Sequence, residues 1–168
     1  MTGVGEMLSA SGDGGEPAGV VNPSADITSE NIIMVPVVNL DARGGFLPNE
    51  EVDTLAYISR YMPFSRSAAR EGDFVVPIFG DSMAPKYPSG SQALVRRIEM
   101  WREYVEFGAS YVLELVDSRR LIKNLQKGRD GDHFLLVSIN KDYEPAEIAK
   151  KMISNVFKVI MAVRMESM

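Results

Sequence analysis

The chain has 168 residues, a formal charge of −5, one histidine and no cysteine. The lack of cysteine excludes disulfide scaffolds, cysteine zinc sites and thiol nucleophiles, and it is compatible with the reducing cytoplasm that we expect as the location. No apolar run approaches the roughly 18 residues that span a bilayer, and no basic residue precedes Arg43. We therefore expect a protein without a membrane anchor or a secretory signal.

The net charge is concentrated at the N-terminus. Residues 1–30 contain five acids and no base, which leaves 18 acids and 18 bases in residues 31–168. The same thirty residues contain six of the 14 glycines and no aromatic side chain, so they cannot bury enough apolar surface to offset the entropy of ordering. We predict a flexible acidic arm or linker over 1–30 and one domain over 31–168. The arm lacks the clustered Lys and Arg that phosphate binding requires.

From Asn31 onward, short apolar runs rich in Val and Ile alternate with Gly, Pro and Asp turns, which is typical of strands. The predicted strands are Ile32–Leu40, Asp73–Phe79, Gln92–Ile98, Ser110–Val116, Arg120–Gln126, Phe134–Ile139 and Val156–Met165. A hairpin is predicted at Asp117-Ser118. Helices are expected only over Glu50–Arg60 and over Pro145–Met152, where the proline lies near the helix start. The sequence therefore predicts a mostly β fold with a small helical contribution.

A serine lies in a glycine-containing turn directly after one of these strands, in the segment Phe79–Pro85. Such a turn exposes the Ser82 hydroxyl, and consecutive backbone N–H groups can converge there on a developing oxyanion. The pattern alone is weak, because most serines in Gly-Asp-Ser turns only hydrogen-bond the local backbone. Ser82 is therefore either a nucleophile or a residue that stabilises its own turn.

A serine nucleophile needs a base, and the sequence offers few candidates. The only histidine, His133, follows the charged turn Gly128–Asp132, where a solvated side chain is expected. A lysine held neutral by burial is the remaining choice, and strand alternation puts Lys123 on the same face as Leu121 and Leu125. To act at neutral pH, its pKa near 10.4 would have to fall by roughly three units. The alternative is a lysine that buries only its stem and keeps its ammonium in water.

Together these pieces resemble the S24 peptidase family, the LexA-like self-cleaving domains of phage repressors, SOS repressors and UmuD-type mutagenesis proteins. The resemblance covers roughly residues 32–165. It is carried by Gly80-Asp81-Ser82-Met83 with Pro85 and Gly90, by Tyr111-Val112-Leu113 and Leu121-Ile122-Lys123, by Ser138-Ile139-Asn140 followed by Tyr143 and Pro145, and by a closing Val-rich strand. It implies a LexA/signal-peptidase-like fold of twisted antiparallel sheets with short helices.

The resemblance also assigns roles to residues of the turn and the strand. It implies Ser82 as the nucleophile and Lys123 as the base. The backbone N–H groups of Asp81 and Ser82 would form the oxyanion hole. Neither a metal ion nor another cofactor is implied.

A scissile Ala-Gly or Cys-Gly bond before the catalytic core is a further implication of the resemblance. Because Val35–Val38 is similar to the strand before that bond, the expected position here is Arg43-Gly44. Arg43 departs from the small residue of the family, and a pocket shaped for alanine would reject it sterically. An Ala-Gly pair does occur at Ala18-Gly19, but it lies upstream of the matching strand and inside the predicted arm.

Two functions follow from the resemblance. The first is a regulatory serine peptidase domain that cleaves its own chain, in a LexA- or phage-repressor-like transcriptional regulator or a UmuD-like stress-response protein. The second is a catalytically idle dimerisation and regulation module, in which Arg43 blocks the pocket. A homodimer and a RecA-like activator filament are implied as partners, with DNA contacted only through a head domain that residues 1–45 could not form. A signal-peptidase relative is disfavoured, because those enzymes use a membrane anchor.

Overall fold

The computed structural model of the chain describes residues 29–38 and 58–164. In these residues nine strands form one mixed sheet: β1 Ile32–Val38, β2 Ile58–Ser65, β3 Phe74–Pro77, β4 Gln92–Arg97, β5 Ser110–Leu115, β6 Arg120–Lys127, β7 His133–Val137, β8 Ala146–Ala149 and β9 Ile153–Val163. The strand order is β2-β1-β3-β4-β9-β5-β6-β7-β8, and all neighbours are antiparallel except β1 and β3. The mostly β fold predicted from the sequence is confirmed.

The central strands are buried on both faces. All six residues of β5 are buried, and its successive side chains enter different clusters: Tyr111 and Leu113 pack with Trp101, whereas Val112 packs with Phe157. This division follows from the alternation of side chains along a strand. Each fully buried side chain of this size contributes roughly 1.5–3 kcal/mol. The sheet therefore has an apolar core on each side of β5.

The hairpin that presents the candidate lysine is formed as predicted. The turn between β5 and β6 contains Asp117 and Ser118, and Ser118 adopts a positive φ of 68°. The register of the hairpin places Tyr111 opposite Lys123. Lys123 thus lies in the interior of β6, with β5 on one side and β7 on the other.

The helix predicted over Pro145–Met152 is wrong. Residues Ala146–Ala149 form strand β8, which pairs antiparallel with β7, and Lys150–Met152 form one 3-10 turn. β7 pairs with one side of this short edge strand, and this sheet pairing outweighs the local helix preference of the sequence. Within the described residues, the only other helical segment is the 3-10 turn Ser29–Asn31.

The second predicted helix is also contradicted where the structure describes it. Residues 50–57 of the helix predicted over Glu50–Arg60 lie outside the described part, but residues 58–60 begin strand β2, which was not predicted. β2 is an edge strand paired with β1 along its whole length, and such a position accepts the polar Arg60 and the proline Pro63. Partner pairing makes this segment a strand, although its own pattern does not indicate one.

The remaining predicted strands are present with shifted ends. The closing strand begins at Ile153, three residues before the predicted start. Residues 39 and 40 of the first predicted strand, and nearly all of the predicted arm over 1–30, lie outside the described residues. In the part of the chain that is described, no helix is long and apolar enough to cross a membrane.

Candidate functional site

Ser82 and Lys123 line one pocket, with a volume of about 190 Å³. Strands β3 and β6 are four steps apart in the sheet, and in a flat sheet with a spacing of about 4.8 Å they would lie roughly 19 Å apart. Their residues line a common pocket, so the sheet curls to bring the end of β3 beside β6. The wall is mainly apolar; its other lining residues are Val76, Pro77, Ile78, Phe79, Val112, Arg120, Leu121 and Ile122.

The turn that carries Ser82 is anchored from both directions. Before it, the buried strand β3 leads into Ile78, and Gly80 then adopts a φ of +79°, which favours glycine. After it, the side chain of Met83 is only 1% exposed and belongs to the apolar core. The amide of Ala84 donates to the carbonyl oxygen of Asp81 at 3.1 Å, which closes the turn. Ser82 is thus held at the pocket by a buried residue on its C-terminal side.

Two backbone N–H groups of this turn have no hydrogen-bond acceptor in the described part of the chain. Among the described residues, the N–H groups of Asp81 and Ser82 donate no hydrogen bond. Backbone N–H groups that are fixed beside a serine hydroxyl can stabilise a developing oxyanion, because they need no reorganisation when the charge forms. The oxyanion hole expected from the sequence stays a prediction that would use these two donors.

The amine of Lys123 is held by a residue that the sequence reasoning left without a role. Its Nζ donates to Ser138 Oγ at 2.8 Å, and Ser138 is only 5% exposed. Burial lowers the pKa of the Lys123 amine below its usual value, because desolvation disfavours the charged form. Within the described part of the chain, no hydrogen bond joins this amine to Ser82 Oγ. The two side chains share the pocket, but the amine is bound to Ser138.

A segment after β7, which we call the 138–143 turn, contacts the turn that carries Ser82. The backbone N–H of Asn140 donates to the carbonyl oxygen of Ser82 at 3.0 Å, and Asn140 Nδ2 donates to the carbonyl oxygen of Asp81 at 3.1 Å. The Tyr143 hydroxyl donates to the Asp81 carboxylate. In the sequence, Ser138, Asn140 and Tyr143 are recognisable only as parts of a matching motif, and the structure brings all three to the site.

Of the other candidate site residues, the structure describes only His133. His133 begins β7 and does not line the pocket; its Nδ1 is 2.6 Å from Asp130 Oδ1. The candidate cleavage positions Arg43-Gly44 and Ala18-Gly19 lie outside the described residues. Residues 29–38 and 58–164 contain no group of three or more acidic or histidine side chains that could hold a metal ion.

Comparison with known proteins adds one match. A family model described as Peptidase S24-like matches residues 36–160, which is more than two thirds of the chain. No curated protein matches the chain. The matched range contains Ser82, Lys123 and the 138–143 turn, and it begins after Ala18-Gly19. The family resemblance found in the sequence is thereby confirmed.

Proposed function

The chain belongs to the S24 peptidase-like family, and from this we propose that it is a serine peptidase domain that cleaves a bond of its own chain with Ser82 and Lys123. One observation carries the proposal: the two residues are 41 positions apart in the sequence, yet they line the same pocket. Pairing a hydroxyl with a desolvated amine is the arrangement required when no histidine is available as a base.

In the proposed reaction, the neutral Lys123 amine takes the proton of the Ser82 hydroxyl while Oγ attacks the carbonyl carbon of the scissile bond. The N–H groups of Asp81 and Ser82 stabilise the oxyanion that forms. Collapse of the intermediate breaks the C–N bond, and the Lys123 ammonium returns its proton to the leaving amine. A water molecule then hydrolyses the acyl-enzyme: Lys123 takes a proton from the water and returns one to Ser82 Oγ.

The environment of Lys123 supports its role as base. Burial lowers its pKa, which raises the neutral fraction of the amine at any given pH. A neutral amine has two N–H donors and one lone pair, so it can donate to Ser138 Oγ and still accept the proton of Ser82. Ser138 therefore stabilises one orientation of the amine without occupying the lone pair that the reaction needs.

We propose Arg43-Gly44 as the bond that is cleaved and a LexA-, phage-repressor- or UmuD-like regulator as the setting. In support, the family match begins at residue 36, so it includes Arg43-Gly44 and excludes Ala18-Gly19. A homodimer, a RecA-like activating filament and a cytoplasmic location belong to the same proposal and are supported by family membership alone. Mass measurement of the assembled protein in solution tests the dimer.

An idle regulatory module is the second candidate function. One observation favours it: a long charged residue, Arg43, precedes the expected bond. Replacing Arg43 with alanine discriminates the two candidates. In an otherwise inert protein, Arg43→Ala should start scission if Arg43 blocks the pocket. An Arg43→Ala protein that stays intact contradicts blockage by this side chain.

Intact-mass analysis after incubation between neutral and alkaline pH tests the peptidase function. Wild type should yield fragments that separate at Gly44, with a rate that rises with pH because the Lys123 amine loses its proton. Ser82→Ala and Lys123→Ala should stay intact. Lys127→Ala is the matched control, because Lys127 lies on the same strand, is exposed and does not line the pocket. Equal fragmentation of wild type and Lys123→Ala would remove Lys123 from the mechanism.

A further inference from the structure

We propose that Tyr143 is a positioning residue for Ser82: its hydroxyl holds the Asp81 carboxylate and thereby fixes the turn that presents the nucleophile to Lys123. The consequence for catalysis rests on the proposed function. The consequence for the turn does not, because it concerns the folded protein alone.

Two residues connect the 138–143 turn to the turn that carries Ser82, and Tyr143 is one of them, through the bond from its hydroxyl to the Asp81 carboxylate. Asn140 is the other, and it donates from its backbone N–H and from Nδ2 to the carbonyl oxygens of Ser82 and Asp81. These bonds use acceptors of the turn and leave the N–H groups of Asp81 and Ser82 to a ligand. The connection therefore holds the turn without occupying the donors that an oxyanion would need.

Tyr143 is the hydrogen-bond donor to the Asp81 carboxylate. Among the described residues, no other group donates a hydrogen bond to this carboxylate, although the side chain is exposed. The pKa of the Tyr143 hydroxyl is raised, first by its hydrogen bond to Asp81 and then by the negative charge there. The hydroxyl thus keeps its proton further into the alkaline range, where the Lys123 amine becomes neutral. The bond to Asp81 persists under the conditions in which scission should be fastest.

The same side chain also covers the base. The Lys123 amine lies 5.3 Å from the centroid of the Tyr143 ring, close enough for a cation–π contact when the amine is charged. Tyr143 therefore contacts the nucleophile's turn through its hydroxyl and the base through its ring. Replacement by phenylalanine removes the first contact and retains the second, so the two effects can be separated.

Hydrogen exchange in the full-length protein tests the positioning role directly. In Tyr143→Phe, the hydrogen-bonded amides that close and hold the turn, those of Ala84 and Asn140, should exchange several-fold faster than in wild type, while the rest of the sheet is unchanged. Self-scission should slow by about tenfold, because one hydrogen bond to a charged acceptor is lost. The pH at half-maximal rate should stay the same, because the ring remains over Lys123. Tyr104→Phe is the control, since Tyr104 is exposed and does not line the pocket.

Replacing Asp81 should have the same effects as replacing Tyr143. Asp81→Ala removes the acceptor and should match Tyr143→Phe in exchange and in rate, and the double variant should be no worse than either single one. Asp81→Asn keeps a carbonyl oxygen for the Tyr143 hydroxyl and should lie between Asp81→Ala and wild type. Additive effects in the double variant would show that the two residues act separately and would overturn the proposal.

Failure of the proposed function and failure of this inference give different results. If wild type does not cleave itself at any pH, the peptidase function fails, and the exchange rates of the Ala84 and Asn140 amides still decide whether Tyr143 positions the turn. If those rates are the same in Tyr143→Phe and wild type, the positioning role is refuted, whether or not the chain cleaves itself. A shifted pH profile in Tyr143→Phe would also refute it, because the hydroxyl would then act on Lys123.

Discussion

Replacing Ser138 with alanine should both slow self-scission and move its pH dependence to lower pH. In the structure, Lys123 Nζ donates to Ser138 Oγ at 2.8 Å, and this bond is stronger when the amine is protonated. In the proposed reaction, Lys123 carries the additional proton only after it has accepted it from Ser82, so the bond would stabilise the transition state more than the ground state. Loss of the Ser138 hydroxyl therefore destabilises the transition state more than the ground state.

The size of the effect is the difference between the charged and the neutral hydrogen bond. A hydrogen bond to a charged group contributes roughly 1.5–3 kcal/mol and one between neutral groups roughly 0.5–1.5 kcal/mol, a difference of about 1 kcal/mol. Losing this difference corresponds to a maximal rate roughly fivefold lower. The pH at half-maximal rate should fall, because the ammonium form loses the acceptor that stabilises it.

Rate measurements by intact mass across the pH range check both effects. Ser110→Ala is a matched control: Ser110 is also a buried serine, and it donates to Asn124 Oδ1, on the residue next to Lys123, at 2.6 Å. Ser110→Ala should leave the pH at half-maximal rate unchanged. A Ser138→Ala protein with the wild-type maximal rate, or with a midpoint at higher pH, would refute the reasoning.

Three further changes test the surroundings of the site. Relative to Lys123→Met, wild type should gain stability in thermal melts as the pH rises from neutral toward about 10.4: burial lowers the folded-state pKa of Lys123, so the unfolded chain binds more protons in that window. A difference that does not change with pH contradicts this expectation. Arg96 donates to both carboxylate oxygens of the buried Asp73, at 2.8 and 2.7 Å. Asp73→Ala leaves the Arg96 guanidinium without this partner. The free energy of unfolding in a urea titration should fall by about 3 kcal/mol, and a loss near zero would mean that the pair is not stabilising. Gly80→Ala places a side chain at a φ of +79° with no atom within 4 Å of the added Cβ. It should lower stability by about 1 kcal/mol from backbone strain alone, and a neutral effect would contradict the strain.

Most of the fold could be predicted because its strands are apolar runs bounded by turn residues. The predictions failed at the two edges of the sheet. β2 contains Ser59, Arg60 and Pro63, and β8 has a sequence of good helix formers, Ala146–Ala149. Both are strands because a neighbouring strand pairs with them, and an edge position has one side free for polar residues. Local propensity does not contain this information, since it depends on the partner.

The sequence indicated the individual site residues better than it indicated how they come together. A turn after a strand indicated Ser82, and alternation indicated Lys123, but their shared pocket depends on the curl of the sheet between β3 and β6. The role of Ser138 could have been found from the hairpin. A turn centred on Asp130-Gly131 pairs Asn124 with Val137, and one further step places Lys123 opposite Ser138. The contacts of Tyr143 with the Ser82 turn had no such local signal, because they join residues 62 positions apart.

The register of β6 and β7 therefore links the two halves of the site. β7 leads directly into the 138–143 turn, so the pairing that places Ser138 beside Lys123 also places Asn140 and Tyr143 against the turn that carries Ser82. A slip of one residue would turn every β7 side chain to the opposite face. Ser138 would lose the Lys123 amine in the same step in which Tyr143 lost Asp81. Ser82 and Lys123 lie on different parts of the chain, but the segment that follows β7 contacts both, Lys123 through Ser138 and the Ser82 turn through Asn140.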